Sequence, residues 1–447
     1  MIEEESERKF NIIYISYYFP PIQSIAVKRN FYIAKALFES GNHVEVLTTS
    51  NQDLFPKDEI LLEGINIHKL YTLDYRTILA LFKSAKDSIH FSSEHKKNAV
   101  IKWLIKVNES LPFNIFLGEG GLIYILHGFI KTVLKLIKNR DNPAVVISSF
   151  RPTSNILIGY LTKLFFPKFI WVVSFHDLPY LEKRRNLVLL SFQDWVWKKM
   201  LKKSDLVLAV SNGVGDALQR YDCKTVVIEN GIVPRQPRSA KNQKFTLAFT
   251  GSLYSGLIDP VLLFKAIEDL LTHNLIKKDF VEIIYAGKDG QEWESWCENY
   301  PKTKEVLSLT GLVSNEKALQ IQEVANINVM LTWNDQSFSG NLTGKFYEYL
   351  GARNPILCIV KGEFDAEIEH NFQKFNCGKI IYEGYVNALQ QTIDYILEKY
   401  NEWSDYSYEK NFICVNDLKG ATWLGKAKTL NCLFKDIVYN VESNKSK

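Results

Sequence analysis

Six cysteines occur in the 447 residues, at 223, 297, 358, 377, 414 and 432, yet no two form a Cys-x-x-Cys pair. That argues against a structural zinc or a redox dithiol, and free thiols are expected. No apolar run approaches the ~18 residues that a spanning helix needs. Residues 1–9 are acidic and lack an apolar core, so no signal peptide is expected. An excess of one charge is also missing. Lys+Arg 54 against Asp+Glu 50 leaves +4, too little to argue for nucleic acid. Nor is there a Cys/His knuckle or a basic–aromatic repeat. A Gly-x-Ser-x-Gly elbow is absent, which argues against an α/β-hydrolase. A full phosphate-loop motif is absent too. No Asp-x-Asp element follows a strand, and no metal site stands out. The expectation is a cytoplasmic protein with no nucleic-acid partner, no metal and no cofactor.

What is present is apolar text in a regular rhythm. Hydrophobic residues make up 46% of the chain, enough for two or three packed domains. Residues 10–17 form a continuous apolar run, as expected of a strand buried on both faces. A Pro20-Pro21 loop follows. Residues 27–38 have helical spacing, Gly41-Asn42 stops them, and 43–48 read as the next strand. This is a βαβ unit, whose crossover should be right-handed. The rhythm continues with strands at 144–149, 169–175, 206–210 and 226–229 and helices at 155–165 and 188–202. It predicts one doubly wound parallel sheet over 10–232.

Two prolines in a polar, basic stretch mark 233–244 as a linker. The βα rhythm then restarts over 245–400, with strands at 245–249, 281–286, 307–309, 327–331 and 356–360. Helices alternate with them at 260–271, 316–324, 344–350 and 388–400. The 401–447 tail, rich in Tyr and Trp, is expected to be helical in places and to pack back toward the N-terminal domain. Two tandem α/β sheets should present their C-terminal edges to a shared cleft, where small ligands bind.

Three segments could carry chemistry. Residues 339–350, Ser-Gly-Asn-Leu-Thr-Gly-Lys-Phe-Tyr-Glu-Tyr-Leu, follow a strand and open a helix. Thr343 and Gly344 put backbone N–H groups at a helix N-terminus, Lys345 adds a positive charge for phosphate, and Glu348 could accept hydrogen bonds from ribose hydroxyls. The plain alternative is a surface Lys–Glu pair on an amphipathic helix. Residues 249–256, with Gly251, Ser252 and Tyr254, form a glycine-bracketed turn that lets backbone approach a ligand, or else an ordinary βα loop. His176-Asp177 ends an apolar strand, where active-site residues sit in open sheets; a proton relay or hydrogen-bond donor is one reading, a structural His and capping Asp the other. His43 and His68 read as structural. The apolar helix 122–138, with Lys131, Lys135 and Lys138 on its flank, reads first as a core helix with a solvated basic stripe. The alternative is a helix lying on an anionic membrane, which would place the protein at the inner face of the cell membrane.

Taken in order, these segments resemble a GT-B-fold glycosyltransferase similar to glycosyltransferase family 4. The resemblance runs over 10–400. It is carried by Ile15-Ser-Tyr-Tyr-Phe-Pro-Pro21, by 34–48, by Ser204-Asp-Leu-Val-Leu-Ala-Val-Ser211 and by Val227-Ile-Glu-Asn-Gly231. In the second half it is carried by Thr250-Gly-Ser-Leu-Tyr254, Gly311-Leu-Val313 and 342–350. It implies two Rossmann-like domains and a retaining, metal-independent hexosyl or related transferase. The donor would be a nucleotide sugar, a UDP- or GDP-sugar, held mainly by the second domain. The acceptor would be a glycan or lipid-linked molecule in cell-surface polysaccharide synthesis.

On this mapping Glu348 takes the ribose, Lys345 with Thr343 and Gly344 holds the diphosphate, Gly251 approaches it, and Val313 lies near the base. Gln23 and Ser24 border the acceptor, and His176 and Asp177 face the cleft. The sequence departs from the family in places. Gly340 stands where the first of two paired glutamates would be. Ser252, Ser255 and Leu257 stand where basic residues are common. A non-catalytic nucleotide-sugar-binding scaffold and a sugar-nucleotide epimerase fit the same fold.

Overall fold

The computed structural model describes residues 8–23, 25–57, 64–82, 103, 106–138, 142–179, 187–236, 242–253, 256–334, 342, 344–405 and 412–443. Ser24, the linker residues 237–241, Tyr254, Ser255, Gly340 and Thr343 lie outside these residues. The chain divides into two compact units, Met1–Gly231 with Trp423–Lys447, and Ile232–Thr422.

The first unit is built on seven parallel strands: β1 (Asn11–Ile15), β2 (His43–Thr49), β3 (Asn66–Leu70), β4 (Ala144–Phe150), β5 (Ile170–Phe175), β6 (Leu206–Ala209) and β7 (Thr225–Val227). Their spatial order is β3-β2-β1-β4-β5-β6-β7. The central strands β1, β4, β5 and β6 are almost wholly buried, because helices cover both faces of a parallel sheet. That double burial produces the continuous apolar runs in the sequence. β3 is an edge strand, Asn-Ile-His-Lys-Leu, with only Leu70 fully buried; it lacks the apolar run and the sequence reading passes over it.

Helix Trp423–Ser443 closes this unit by packing on helix Ile25–Glu39. Trp423 stacks on Tyr32 at 5.4 Å, Phe434 meets Phe10 edge-on at 5.6 Å, and Lys426 pairs with Glu229 at 2.9 Å. Residues 401–447, read as one tail, are therefore shared. Helix Ala388–Ser404 and short helix Val415–Leu418 belong to the second unit, and 423–447 to the first.

The second unit has six parallel strands: β8 (Phe245–Thr250), β9 (Val281–Ala286), β10 (Leu307–Leu309), β11 (Ile327–Asn334), β12 (Ile356–Gly362) and β13 (Gly378–Tyr382). Their order is β10-β9-β8-β11-β12-β13, so the strand order reverses between β8 and β11 while every pair stays parallel. β13 escapes the sequence reading for the same reason as β3: it is an edge strand with two exposed residues at its start. The unit begins before 245. Ile232 bridges to Thr422, and the Arg235 amide donates to the Gly351 carbonyl at 2.9 Å, so the start of the expected linker is part of this unit. All six cysteines are free, as the spacing implies.

Packing between sheet and helix in the first unit leaves no room at Gly159 on helix Thr153–Phe165. A Cβ there would lie 2.2 Å from Trp171 Nε1 and 2.4 Å from Ser148 Oγ, and these two atoms hydrogen-bond each other at 3.2 Å. Gly159→Ala should therefore cost about 1–3 kcal/mol through overpacking. Urea unfolding should show a lower midpoint with an unchanged slope.

Candidate functional site

In an open α/β sheet the crevice lies where strand order reverses. β8 and β11 pair only at Leu247/Ile327 and Ala248/Asn328, whereas β11 stays paired with β12 as far as Asn334. The N–H of Thr250, at the end of β8, finds its acceptor on a helix instead: it donates to the buried Tyr349 Oη at 3.2 Å. Tyr349 belongs to helix Gly344–Ala352, which buries Phe346, Tyr347, Tyr349 and Leu350. Lys345 and Glu348, three apart, share the remaining face. The same residues that anchor the helix thus set both polar side chains at the switch point.

Lys345 leans over the turn that follows β8. Its Nζ donates to the Ser252 carbonyl at 3.3 Å and sits 4.3 Å above the centre of the Phe249 ring. Burial pushes its pKa down to about 8, against the pull of Glu348 and Asp289. Among the described residues it makes no ion pair. Gly251 makes this placement possible. Its φ is +125°, and a Cβ would lie 2.3 Å from Lys345 Cε. The turn is pinned from below: Gly251 N donates to the Ala286 carbonyl at 2.7 Å, and Leu253 N to Asp289 Oδ2 at 2.7 Å. Phe249 rests on a buried aromatic pile with Tyr285 and Trp293, themselves stacked at 4.6 Å.

Glu348 is positioned by its neighbours. Gln322 Nε2 donates to its Oε2 at 3.3 Å and to Thr250 Oγ1 at 2.8 Å. Arg235 ties this helix to helix Asn315–Val324, donating to the Glu348 carbonyl at 2.6 Å and to Gln322 Oε1 at 3.0 Å. Sequence reasoning missed Gln322, Arg235 and Asp289. Gln322 lies in the last turn of helix Asn315–Val324 and Arg235 in a polar stretch, where nothing in the spacing marks them.

Lys345, Gly251 and Ser252 are brought together, with Glu348 one helical turn away. Gly344 opens the helix and is exposed, with open space where a Cβ would be. Val313 packs against a small cluster of Ala248, Ala286, Ile321 and Ala325.

In the first unit, His176 and Asp177 directly follow β5. Burial, then the charges of Arg29 and Arg151, drives the His176 pKa down to about 3. Its Nδ1 is buried with no hydrogen-bond partner among the described residues. The imidazole is therefore neutral at physiological pH, and its chemistry there is hydrogen bonding rather than proton relay. Asp177 is exposed; it accepts from the Leu178 N–H at 2.9 Å and faces Arg151 at 3.8 Å. Arg151 directly follows β4, so the strand-end rule that singles out His176 would also have found it. Gln23 is exposed, its N–H donating to the Pro56 carbonyl at 2.7 Å.

His68 bridges Glu45 and Lys135, and His127 accepts from the Tyr71 N–H at 2.9 Å; both are structural contacts. No group of three His, Cys, Asp or Glu side chains that could hold a metal occurs among the described residues.

The chain has the GT-B fold. Sucrose-phosphate synthase from Thermosynechococcus elongatus superposes with a TM-score of 0.55 at 15% identity, covering 97% of this chain and 100% of that one. WaaG, a glycosyltransferase of lipopolysaccharide biosynthesis, gives 0.51 at 12% identity over 95% and 99%. The pneumococcal O-GlcNAc transferase GtfA, in complex with UDP and GlcNAc, gives 0.53 at 11% identity over 97% and 99%. In sequence, residues 106–236 match the family model of Glycosyltransferase Family 4. No curated protein matches the sequence. The resemblance to GT-B glycosyltransferases thus holds for the fold across the chain and for the sequence in its first unit.

The His176 pKa makes a testable prediction about acid stability. An unfolded imidazole titrates near 6.5 and the native one at about 3. Between those values the unfolded chain binds a proton that the native state refuses, so stability falls as pH drops through that window and is fully present above it. His176→Gln should flatten the pH dependence of the urea midpoint between neutral and mildly acidic pH. An unchanged slope would place the ring in contact with water.

Proposed function

We propose that the protein is a retaining GT-B glycosyltransferase that moves a sugar from a nucleotide-sugar donor, a UDP- or GDP-sugar, to a glycan or lipid-linked acceptor in cell-surface polysaccharide synthesis. It is a hexosyl or related transferase. It works without a metal on the cytoplasmic side, at the inner face of the cell membrane. The observation that carries this reading is Lys345, a half-buried cation laid over the Gly251 turn at the switch point of the second sheet.

The chemistry follows from charge. Breaking the bond between the anomeric carbon and the diphosphate leaves negative charge on the leaving phosphate. Lys345 and the N–H groups opening helix Gly344–Ala352 stabilise that charge as it forms. The acceptor hydroxyl gives its proton to the leaving phosphate, so no strong protein base is needed. Glu348, oriented by Gln322, takes the ribose hydroxyls. Val313 borders the base, and Ser252 with Tyr254 and Thr343 lines the diphosphate. On the acceptor side stand Gln23, Ser24, Asp177 and the neutral His176, which donates or accepts a hydrogen bond.

Ligand-observed NMR with a panel of nucleoside diphosphates and their sugar conjugates tests this. One base should bind selectively. Lys345→Met should weaken it roughly ten- to a hundredfold, the worth of a charge-assisted hydrogen bond. Glu348→Ala should weaken sugar conjugate and bare diphosphate alike, because both carry the ribose. No binding across the panel would sink the proposal.

A pH signature should accompany binding. A bound diphosphate restores the lysine toward its ordinary 10.5, so complex formation takes up a proton above pH 8. Affinity should therefore fall by up to about tenfold per pH unit between 8 and 10.5, and Lys345→Met should abolish that slope. A second reading is favoured by Gly340 and Ser252, which leave Lys345 as the cation at this turn: a scaffold that binds nucleotide sugar without turnover. Donor consumption by pure protein in the presence of acceptor, lost in Glu348→Ala, excludes it.

A further inference from the structure

Helix Gly121–Lys138 is amphipathic in an unusual sense. Its inner face, Tyr124, Ile125, Gly128 and Thr132, is buried. Tyr124 Oη donates to Asn155 Oδ1 at 2.8 Å, and a Cβ on Gly128 would lie 2.4 Å from Ile158 Cδ1, so the helix is held tightly against helix Thr153–Phe165. The opposite face is not polar. Leu122, Leu126, Ile130, Leu134 and Ile137 are all exposed, Ile130 by 54% and Leu134 by 56%. Steps of three and four residues put them in one stripe along the helix.

The stripe continues onto its neighbours. Phe129 contacts Phe165 at 5.7 Å, and Phe165 is 67% exposed at the end of the packed helix. Phe116, in the preceding turn of helix Asn114–Leu117, is 60% exposed. His127 stacks on the exposed Tyr71 at 5.0 Å. An exposed surface this apolar, continuous over several elements, marks an interaction face.

Charge says which kind. Residues 121–138 contain no Asp or Glu and three lysines. Lys135 turns inward to Glu45 and His68. Lys131 and Lys138 make no ion pair among the described residues. Residues 160–169, beside the stripe, add Lys163 and Lys168 and again no acid. Lys163 is turned to Asp205. Protein interfaces are depleted in lysine, whereas an apolar helix flanked by lysines suits an anionic bilayer, with the stripe in the acyl boundary and the ammonium groups at the headgroups. No helix among the described residues is long and apolar enough to cross a membrane, so this one would lie in the surface plane.

We propose that the exposed face of helix Gly121–Lys138, with Phe116 and Phe165, is a docking surface for the anionic lipid headgroups and outer acyl layer of a bilayer. This rests on the peripheral contact in the proposed function, but on none of its donor chemistry.

The test is flotation of the full chain with phosphatidylcholine vesicles, with and without phosphatidylglycerol, at low and physiological salt. The wild type should float with the anionic vesicles, more strongly at low salt. Ile130→Glu/Leu134→Glu should abolish flotation. Both sites are exposed, so thermal unfolding and nucleoside diphosphate binding should match wild type. Lys131→Glu/Lys138→Glu should weaken binding to anionic vesicles by roughly tenfold or more and leave the weak binding to zwitterionic ones unchanged.

Failure of the wild type to float at low salt overturns the proposal. So does a glutamate double variant that floats as well as wild type. A wild-type dimer that becomes monomeric in the double variant, with no flotation in either, assigns the face to a second copy of the chain instead. Flotation without nucleotide binding would leave this proposal standing and remove the donor reading alone.

Discussion

The second unit depends on one electrostatic arrangement: an ammonium group taken partly out of water and set above a turn that only glycine can make. Desolvating Lys345 costs stability, which appears as a pKa pulled down to about 8. The Phe249 ring and the Ser252 carbonyl offset part of that cost, and no carboxylate cancels the charge at contact distance among the described residues. A group held in this way favours an arriving anion, because the anion supplies the missing counter-charge. The surrounding parts make sense as supports. Asp289 pins the turn, the Tyr285–Trp293 stack carries the ring, and Tyr349 caps the strand end left open by β11.

The first unit solves a different problem with the same topology. At its switch point, between β1 and β4, Asn30 ties the strands to helix Ile25–Glu39. It accepts from Tyr14 and Ser149 and donates to Ser16 at 2.8 Å. Nearby, burial and then two guanidinium charges keep His176 neutral. The edge of the second sheet therefore presents a cation, and that of the first an uncharged, half-buried imidazole beside Arg29 and Arg151. The helix Gly121–Lys138 adds a third surface with its own logic, apolar outward and held inward by Tyr124 and a glycine contact with Ile158.

Much of this architecture is legible from residue order. Strands buried on both faces must be apolar throughout, so β1, β4, β5, β6, β8 and β11 stand out as runs. Edge strands β3 and β13 are half-solvated and carry polar residues, so they do not. The Lys345–Glu348 spacing and the Gly251 turn are visible as candidates, because helix periodicity and glycine chemistry are local properties. The partners that orient them are not visible: Gln322, Arg235 and Asp289 reach the site from 26, 113 and 56 positions away respectively from Glu348, Glu348 and Lys345.

By itself, then, the sequence determined the fold class, the two repeats of the βα rhythm and the residue types available at each strand end. These follow from burial patterns that act over a few residues. Tertiary structure alone decided three things. It set Lys345 on Gly251 rather than in solvent, buried the Nδ1 of His176 so that the ring stays neutral, and turned the apolar stripe of Gly121–Lys138 outward. Each is a matter of which surfaces meet, and desolvation depends on neighbours far away in the chain, so no local pattern could have specified it.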